Sequence, residues 1–326
     1  MKRRVLGMAL AASFALTLPF ASHAWEPAGD VSVIVAYKAG SGTDKTCRPL
    51  IMMAEKYVGK TLVIHNMPGG DGKIGWTDLI KAKPDGRTIG FVNLPTFTQY
   101  IAEGKFKVDQ IVPVCNHVTE TGVIVVKADS PYKTLDDLVA AMKKNPRLKA
   151  STNGNRASNH ISAQLFANSA KVKYKAIPYG GTADQLLALR QGEVDFSCPK
   201  IADVASMIRG DKPELRVLGV FDTKRDATIP NVPTLKELGY YPEWYGSARA
   251  IVLPKGAKPE VVKFYADAFL KTMQDKECAE LHHKAGFNMD YKNPKELADL
   301  IQAQINFCLR FATSFAEMGS RLFALR

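Results

Sequence analysis

The chain has 326 residues, 46% of them hydrophobic, and a formal charge of +12. At roughly 100–200 residues per domain this fits two globular domains with true cores. The lysines and arginines are scattered rather than blocked, which disfavours a nucleic-acid surface and favours an anionic ligand or surface, and the five cysteines contain no C-x-x-C pair, which disfavours zinc.

Lys2, Arg3 and Arg4 precede an apolar run from Val5 to Phe20, and Ser22-His23-Ala24 supplies small residues where a signal peptidase cuts. This predicts a secretory signal peptide over residues 1–24. A membrane anchor is the competing reading, but the run is shorter than the roughly 20 apolar residues a spanning helix needs. No cysteine follows the cut, so a lipid anchor is not expected there. The predicted mature chain starts near Trp25, carries +9 once the three bases of the leader are taken from +12, and resides in the periplasm.

From there strands and helices alternate. Val31–Tyr37, Thr61–Asn66, Thr88–Asn93 and Val123–Lys127 read as strands, with helices at Thr43–Val58, Lys73–Ala82 and Thr134–Lys143. Strand Leu148–Thr152, helix Ser158–Ala170, strand Tyr174–Pro178, helix Thr182–Gln191 and strands Val194–Cys198 and Arg216–Val220 follow. Such alternation predicts βαβ units and mostly parallel sheets. After strand Ser247–Leu253 the periodicity turns helical at Pro259–Met273, Lys276–Ala285 and Pro294–Met318. A helical tail of this kind packs back on the first sheet. The expected body has two lobes, the first built from both ends of the chain, with crossings near residues 120 and 246.

Four strand-to-helix turns are rich in Gly, Ser, Thr or Asn: Tyr37–Asp44, Asn66–Gly75, Ser151–His160 and Pro178–Thr182. A helix start presents backbone N–H groups without internal partners and a positive dipole end, so it can hold a carboxylate without Arg or Lys. In open α/β sheets such turns lie at the carboxyl ends of strands, where ligands bind. Each alone is more often an ordinary capped turn; four together in an exported chain predict an anion-binding cleft. Its expected residues are Tyr37, Ala39, Gly40, Ser41, Gly42, Thr43 and Asp44 from the first turn and Pro68, Gly69, Gly70 and Asp71 from the second. Ser151, Asn153, Arg156 and His160 come from the third, Tyr179, Gly181 and Thr182 from the fourth, and Cys198 from a strand end. Asp44 has a simpler reading as a first-turn acid that supports its helix, bonding to a loop amide or a bound water, and His160 as a residue that orders its turn.

Competing motifs are weaker. Gly70, Gly72 and Gly75 fit G-x-G-x-x-G, but no acid closes the next strand as a dinucleotide site requires. Gly40-Ser41-Gly42 lacks the outer glycines of a hydrolase elbow. No histidine pair has metal-binding spacing, and His282 and His283 are expected on different helix faces in solvent. Neither metal nor cofactor is implied. Cys47, Cys115, Cys198, Cys278 and Cys308 are an odd set. Cys278 and Cys308 fall in late helices that could pack together, so a disulfide between them is one expectation; buried free thiols are the other.

In order along the chain these pieces resemble the solute receptors of tripartite tricarboxylate transporters, the Bug family. The resemblance rests on Ala36, Tyr37, Gly40, Ser41 and Asp44; on Asn66, Pro68, Gly69, Gly72 and Gly75; and on Pro84-Asp85-Gly86 and Ser130 to Leu135. It continues through Pro178-Tyr179, Gly181-Thr182, Gly192 to Asp195, Lys224-Arg225, Pro230 to Thr234, Trp244 to Gly246 and Pro254 to Pro259. It implies an α/β, two-lobed, periplasmic-binding-protein-like fold, each lobe a mostly parallel sheet flanked by helices, with the cleft between lobes. Residues 25–122 and 247–326 would form lobe 1 and residues 123–246 lobe 2. The family implies a monomeric, non-enzymatic receptor. It would close over a small mono- or dicarboxylate held by loop amides, hydroxyls and waters, and pass it to membrane carrier subunits. An exported hydrolase and a sensor for a signalling partner are the alternatives. Ala36, Ser41, Lys38, Asp71, Arg156, Gly180 and Pro199 depart from the family pattern, and Arg156 or Lys38 is expected to meet a second polar group of the ligand.

Overall fold

The computed structural model describes residues 25–154 and 157–323, with side chains through residue 310. The chain opens with β1 (Val31–Val35), α1 (Gly42–Val58), β2 (Leu62–Asn66), α2 (Lys73–Lys81), β3 (Thr88–Leu94), α3 (Thr96–Ala102) and β4 (Ile111–Thr121). The middle holds β5 (Val123–Lys127), α4 (Leu135–Lys144), β6 (Lys149–Thr152), α5 (Ser158–Ser169), β7 (Lys175–Pro178), α6 (Thr182–Gln191), β8 (Phe196–Ser197), α7 (Ile201–Val204) and β9 (Leu215–Val220). It closes with β10 (Gly246–Pro254), α8 (Pro259–Gln274), α9 (Lys276–Lys284), β11 (Met289–Lys292) and α10 (Pro294–Phe323).

These strands form two sheets, ordered β11-β4-β10-β3-β1-β2 and β7-β6-β8-β5-β9. Both are mixed, not mostly parallel. The βαβ parts are parallel, β1 with β2 and β3, and β6 with β7 and β8. Where the chain leaves the first sheet on β4 and returns on β10, the strands must run in opposite senses, and β10 is antiparallel to both β3 and β4. β5 is likewise antiparallel to β8 and β9.

Burial explains the layers. Val31, Val33 and Val35 of β1 are fully buried and share a core with Leu50 and Ile51 of α1 and Tyr265 and Phe269 of α8. The opposite face packs Trp76 of α2 with Phe97 and Tyr100 of α3 and Leu297 and Ile301 of α10. In β5 the alternation is clean: Ile124 and Val126 face Leu138 and Phe166, while Val123 and Val125 face Leu186 and Leu189. The helical tail does return to the first sheet, and its Phe307 also reaches Tyr245, with ring centroids 5.3 Å apart.

The two crossings lie side by side. The Gly122 N–H donates to Tyr245 O at 3.0 Å, and the Phe221 N–H donates to Gly122 O at 2.9 Å. A Cβ on Gly246 would collide with the carbonyl oxygen of Glu120, so only glycine fits this passage.

Two further expectations fail here, and four elements were not foreseen. Cys278 and Cys308 are not bridged; all five cysteines are free and buried. Cys278 belongs to the α1–α8 core, whereas Cys308 meets the Thr98 hydroxyl of α3 at 3.7 Å. His282 is not in solvent: it is 1% exposed, and its Nε2 lies 2.9 Å from Nε2 of buried His117. And α3, β4, α7 and β11 are elements that periodicity did not disclose; β4 interrupts its apolar run with Pro113, Asn116, His117 and Glu120.

Candidate ligand-binding cleft

Three helices of adequate length start on one cavity between the sheets: α1 from the first, α5 and α6 from the second. The cavity measures about 150 Å³. On the first side it is lined by Tyr37, Ser41, Gly42, Thr43, Asp71, Asn93, Thr96, Ser247 and Arg249. On the other side stand Asn153, Ala157, Ser158, Asn159, Gly180, Gly181, Thr182, Lys200 and Asp203. Helix starts carry unpaired N–H groups and partial positive charge, so both walls present donors to one space.

The α1 loop is braced from behind. Ser41 caps the helix by accepting from the Asp44 N–H at 3.3 Å, and the Asp44 carboxylate accepts from the Gly40 N–H, the Asn66 amide and Arg48 Nε, each at 2.8 Å. Burial opposes charge on Asp44, but Arg48, Gly40 and Asn66 outweigh it and hold the carboxyl below its ordinary range. The acid is thus spent on shaping its loop and does not reach the cavity. Thr43 ties the same turn to β3 by donating to Asn93 Oδ1 at 2.9 Å.

The second loop is a run of left-handed residues, Gly69, Gly70, Asp71 and Gly72, with φ of 131°, 54°, 53° and 96°. Asp71 is the non-glycine among them, and aspartate tolerates this region better than most residues. The Tyr100 hydroxyl, bonded to Gly70 O, pins the loop. Asp71 faces Gly154 of the opposite wall, where an added Cβ would lie 3.5 Å from its carboxylate. Gly75 lets α2 approach β1, since a Cβ there would sit 2.9 Å from Ala36 Cα.

Deeper in, Arg249 is 6% exposed and pairs with Glu120, itself 4% exposed. A Cβ on Gly42 would be 3.1 Å from the guanidinium, which places the cation under the first turn of α1. Burial pushes Arg249 down to about 10, so it stays protonated at neutral pH. Lys200 forms the floor on the other side, 2% exposed, its ammonium donating to Asn159 Oδ1 at 2.6 Å. Burial lowers it to about 8. Asn153 donates to the Thr182 hydroxyl at 3.2 Å, joining the α5 and α6 turns.

Of the sequence-predicted residues, Tyr37, Ser41, Gly42, Thr43, Asp71, Asn153, Gly181 and Thr182 line the cavity. Ala39, Gly40, Asp44, Pro68, Gly69 and Gly70 lie in the loops behind the lining. Ser151 is buried beneath, its carbonyl accepting from Gln185 at 3.2 Å. His160 sits within α5, Tyr179 turns its hydroxyl to Glu193 at 3.2 Å, and Cys198 is fully buried. Arg156 lies outside the described residues, and Lys38 is exposed away from the lining. Also lining the cavity, but not among the expected residues, are Asn93, Thr96, Ala157, Ser158, Asn159, Gly180, Lys200, Asp203, Ser247 and Arg249, of which Ala157 to Asn159 and Gly180 fall inside the turns singled out from sequence. Asn93 had a signal, since it ends a predicted parallel strand; Ser247 and Arg249 enter from the start of an antiparallel crossing strand, which the carboxyl-end rule does not cover. Among the described residues no cluster of His, Cys, Asp or Glu could hold a metal ion.

Two α/β sheets with a polar cleft between them define a periplasmic-binding-protein fold. The chain belongs to the tripartite tricarboxylate transporter family receptors, whose family model matches residues 47–311. It is similar to a UPF0065 protein in the gbd 5' region of Cupriavidus necator, 30% identical over 276 residues and 83% of each chain. Among solved structures, a TctC solute binding protein from Polaromonas is 25% identical with a TM-score of 0.73, covering 88% of this chain and 99% of that one. MatC from Rhodopseudomonas palustris with bound malate has a TM-score of 0.79 at 23% identity, covering 87% and 99%, a likeness of fold.

Proposed function

We propose that this protein is a periplasmic receptor that captures a small organic carboxylate in the cleft and hands it to the membrane subunits of a tripartite transporter, without chemical change. Residues 25–122 and 247–326 would act as one lobe and residues 123–246 as the other, with residues 1–24 removed on export. One observation carries the reading: the α1, α5 and α6 N-termini and two buried cations converge on a single cavity of about 150 Å³. Amides and cations from both walls can share one anion only when the lobes are together, so binding favours the closed state by its differential contacts. Malate in MatC makes small carboxylates the first class to try.

A thermal-shift screen of mono-, di- and tricarboxylates tests it. A ligand at 100 times its Kd stabilises by about 2.7 kcal/mol. A shift with at least one small carboxylate, and none with matched neutral alcohols, is expected. Equal shifts with both classes would contradict the reading.

A further inference from the structure

We infer that the end of the five-stranded side opposite the cleft is a docking surface for anionic phospholipid headgroups, which holds the protein on a membrane with its cleft uncovered. Bases dispersed along the sequence are gathered there by the fold. From Leu138 to Ala183 the chain has no aspartate or glutamate. Lys143 and Lys144 close α4, Arg147 lies in the turn to β6, and Lys171 follows α5. Met142, Ala170 and Val172 share one core, so the ends of α4 and α5 meet. Lys149 and Lys175 begin β6 and β7 and are register partners, with Lys173 just before them. The Lys175 N–H donates to Leu148 O at 2.8 Å. All seven basic side chains are exposed. The same two strands run toward Asn153 and Gly180 of the cavity, so the basic surface and the cleft lie at opposite ends of β6 and β7.

These charges are not matched within the protein. The salt bridges of this side lie elsewhere, Lys127 with Asp129, Arg190 with Glu214 and Arg225 with Glu237, and among the described residues none of the seven bases joins one. Two acids share this end and both are engaged: Glu193 accepts from the Tyr179 hydroxyl at 3.2 Å, and Asp195 from the Lys149 N–H at 2.7 Å. A helix dipole favours bases in a last turn, which accounts for Lys143 and Lys144. It does not account for Lys149, Lys173 and Lys175 at strand starts, where like charges directly opposite repel. A basic surface of this kind attracts an anionic one, and its composition decides which. Six of the seven bases are lysines, and the large apolar side chains among them are covered: Leu148 and Val172 are buried and Tyr174 half-buried. Protein interfaces enrich Tyr, Trp and Arg and deplete Lys. A flexible, point-like ammonium suits a mobile array of phosphates instead. Each lysine near an anionic bilayer strengthens partition about fivefold, so several together hold the protein reversibly.

The assignment rests on the exported location proposed above and not on the carboxylate. Its test is co-sedimentation of the purified exported protein with vesicles of phosphatidylglycerol and phosphatidylcholine, and with vesicles of phosphatidylcholine alone. The wild type is expected to bind the anionic vesicles at least about tenfold more tightly, and less so as salt screens the contact. The pair Lys173→Glu and Lys175→Glu should lose about tenfold or more. A control pair with the same change in net charge, Lys271→Glu and Lys276→Glu on α8 and α9, should lose less than about threefold. Melting curves show which variants are folded; Lys143→Gln with Lys171→Gln, expected to lose about threefold or more, carries the test if the first pair is not. Equal binding to both kinds of vesicle, or equal loss in the two Glu pairs, overturns the assignment. Retention by native membranes but not by lipid vesicles would assign this surface to an acidic protein and overturn it too. Thermal shifts with carboxylates should be the same in every variant, so failure of the carboxylate reading and failure of this one are seen separately.

Discussion

In the six-stranded wall of the cleft the buried charges are matched before any ligand arrives: Asp44 by Arg48, Gly40 and Asn66, and Arg249 by Glu120. In the five-stranded wall the floor carries Lys200, buried as deeply; its ammonium bonds to the neutral Asn159, and the Asp203 carboxylate acts on it without a direct ion pair. The first arrangement fixes the shape of a loop. The second holds its cation through a neutral amide, with the carboxylate nearby. A buried ionic group is thus not one kind of feature: it can be matched by an opposite charge in direct contact or held by neutral amides.

That contrast can be broken by substitution. The largest effect should come from Gly246→Ala, which acts on both walls through the crossing. The added methyl has no room beside the Glu120 carbonyl, and a loss of about 3 kcal/mol or more is expected, read as a lower urea midpoint. Next, Asp44→Ala removes the acceptor that holds the first loop, leaving the Gly40 N–H and the Asn66 amide without it. Urea unfolding should show a loss of about 2 kcal/mol, with Asp44→Asn losing less.

Lys200→Met should move the other way. The ligand-free variant is expected to be more stable at pH 7 by about 1 kcal/mol, because the desolvation cost of a buried cation, which Asp203 offsets only in part, is gone. The sign with pH follows from the pKa. Lys200 sits at about 8 in the fold against 10.5 ordinarily, so between those values the unfolded chain binds more protons and the wild type gains stability as pH rises. Melting curves of wild type and variant should therefore converge from pH 8 to 10, with Asp203 and Cys198 the charged and titratable neighbours of the lysine. A constant gap would show that the difference is packing, not charge.

The smallest effect concerns His117, behind the Arg249 strand. Burial, then His282 and Arg249, hold its pKa well below 6.5. The unfolded chain takes up the proton first, so stability falls as pH drops below 6.5. His117→Gln should flatten that acid limb of the melting temperature while leaving the value at pH 8 within a few degrees.

Much of the βαβ framework was legible because β1, β5 and the amphipathic α1 and α4 write burial directly into period and caps. The first and fourth glycine-rich turns likewise announced Ser41, Gly42, Thr43, Gly181 and Thr182. The rest was hidden for physical reasons. β4 is buried on both faces yet carries His117 and Glu120, whose partners His282 and Arg249 are more than a hundred residues away. Lys200 follows a two-residue strand and opens a four-residue helix, both too short to show a period. The polar relay that orients it joins α5, α6 and β8, a proximity only the folded chain creates.

The central claim, that main-chain amides from both walls hold one small anion, is tested most directly by hydrogen–deuterium exchange with and without a bound carboxylate. Slower exchange is expected together in the first turns of α1, α5 and α6, at residues 42–45, 158–161 and 182–185. Protection confined to one wall, or absent from all three turns while the acid is demonstrably bound, would contradict it.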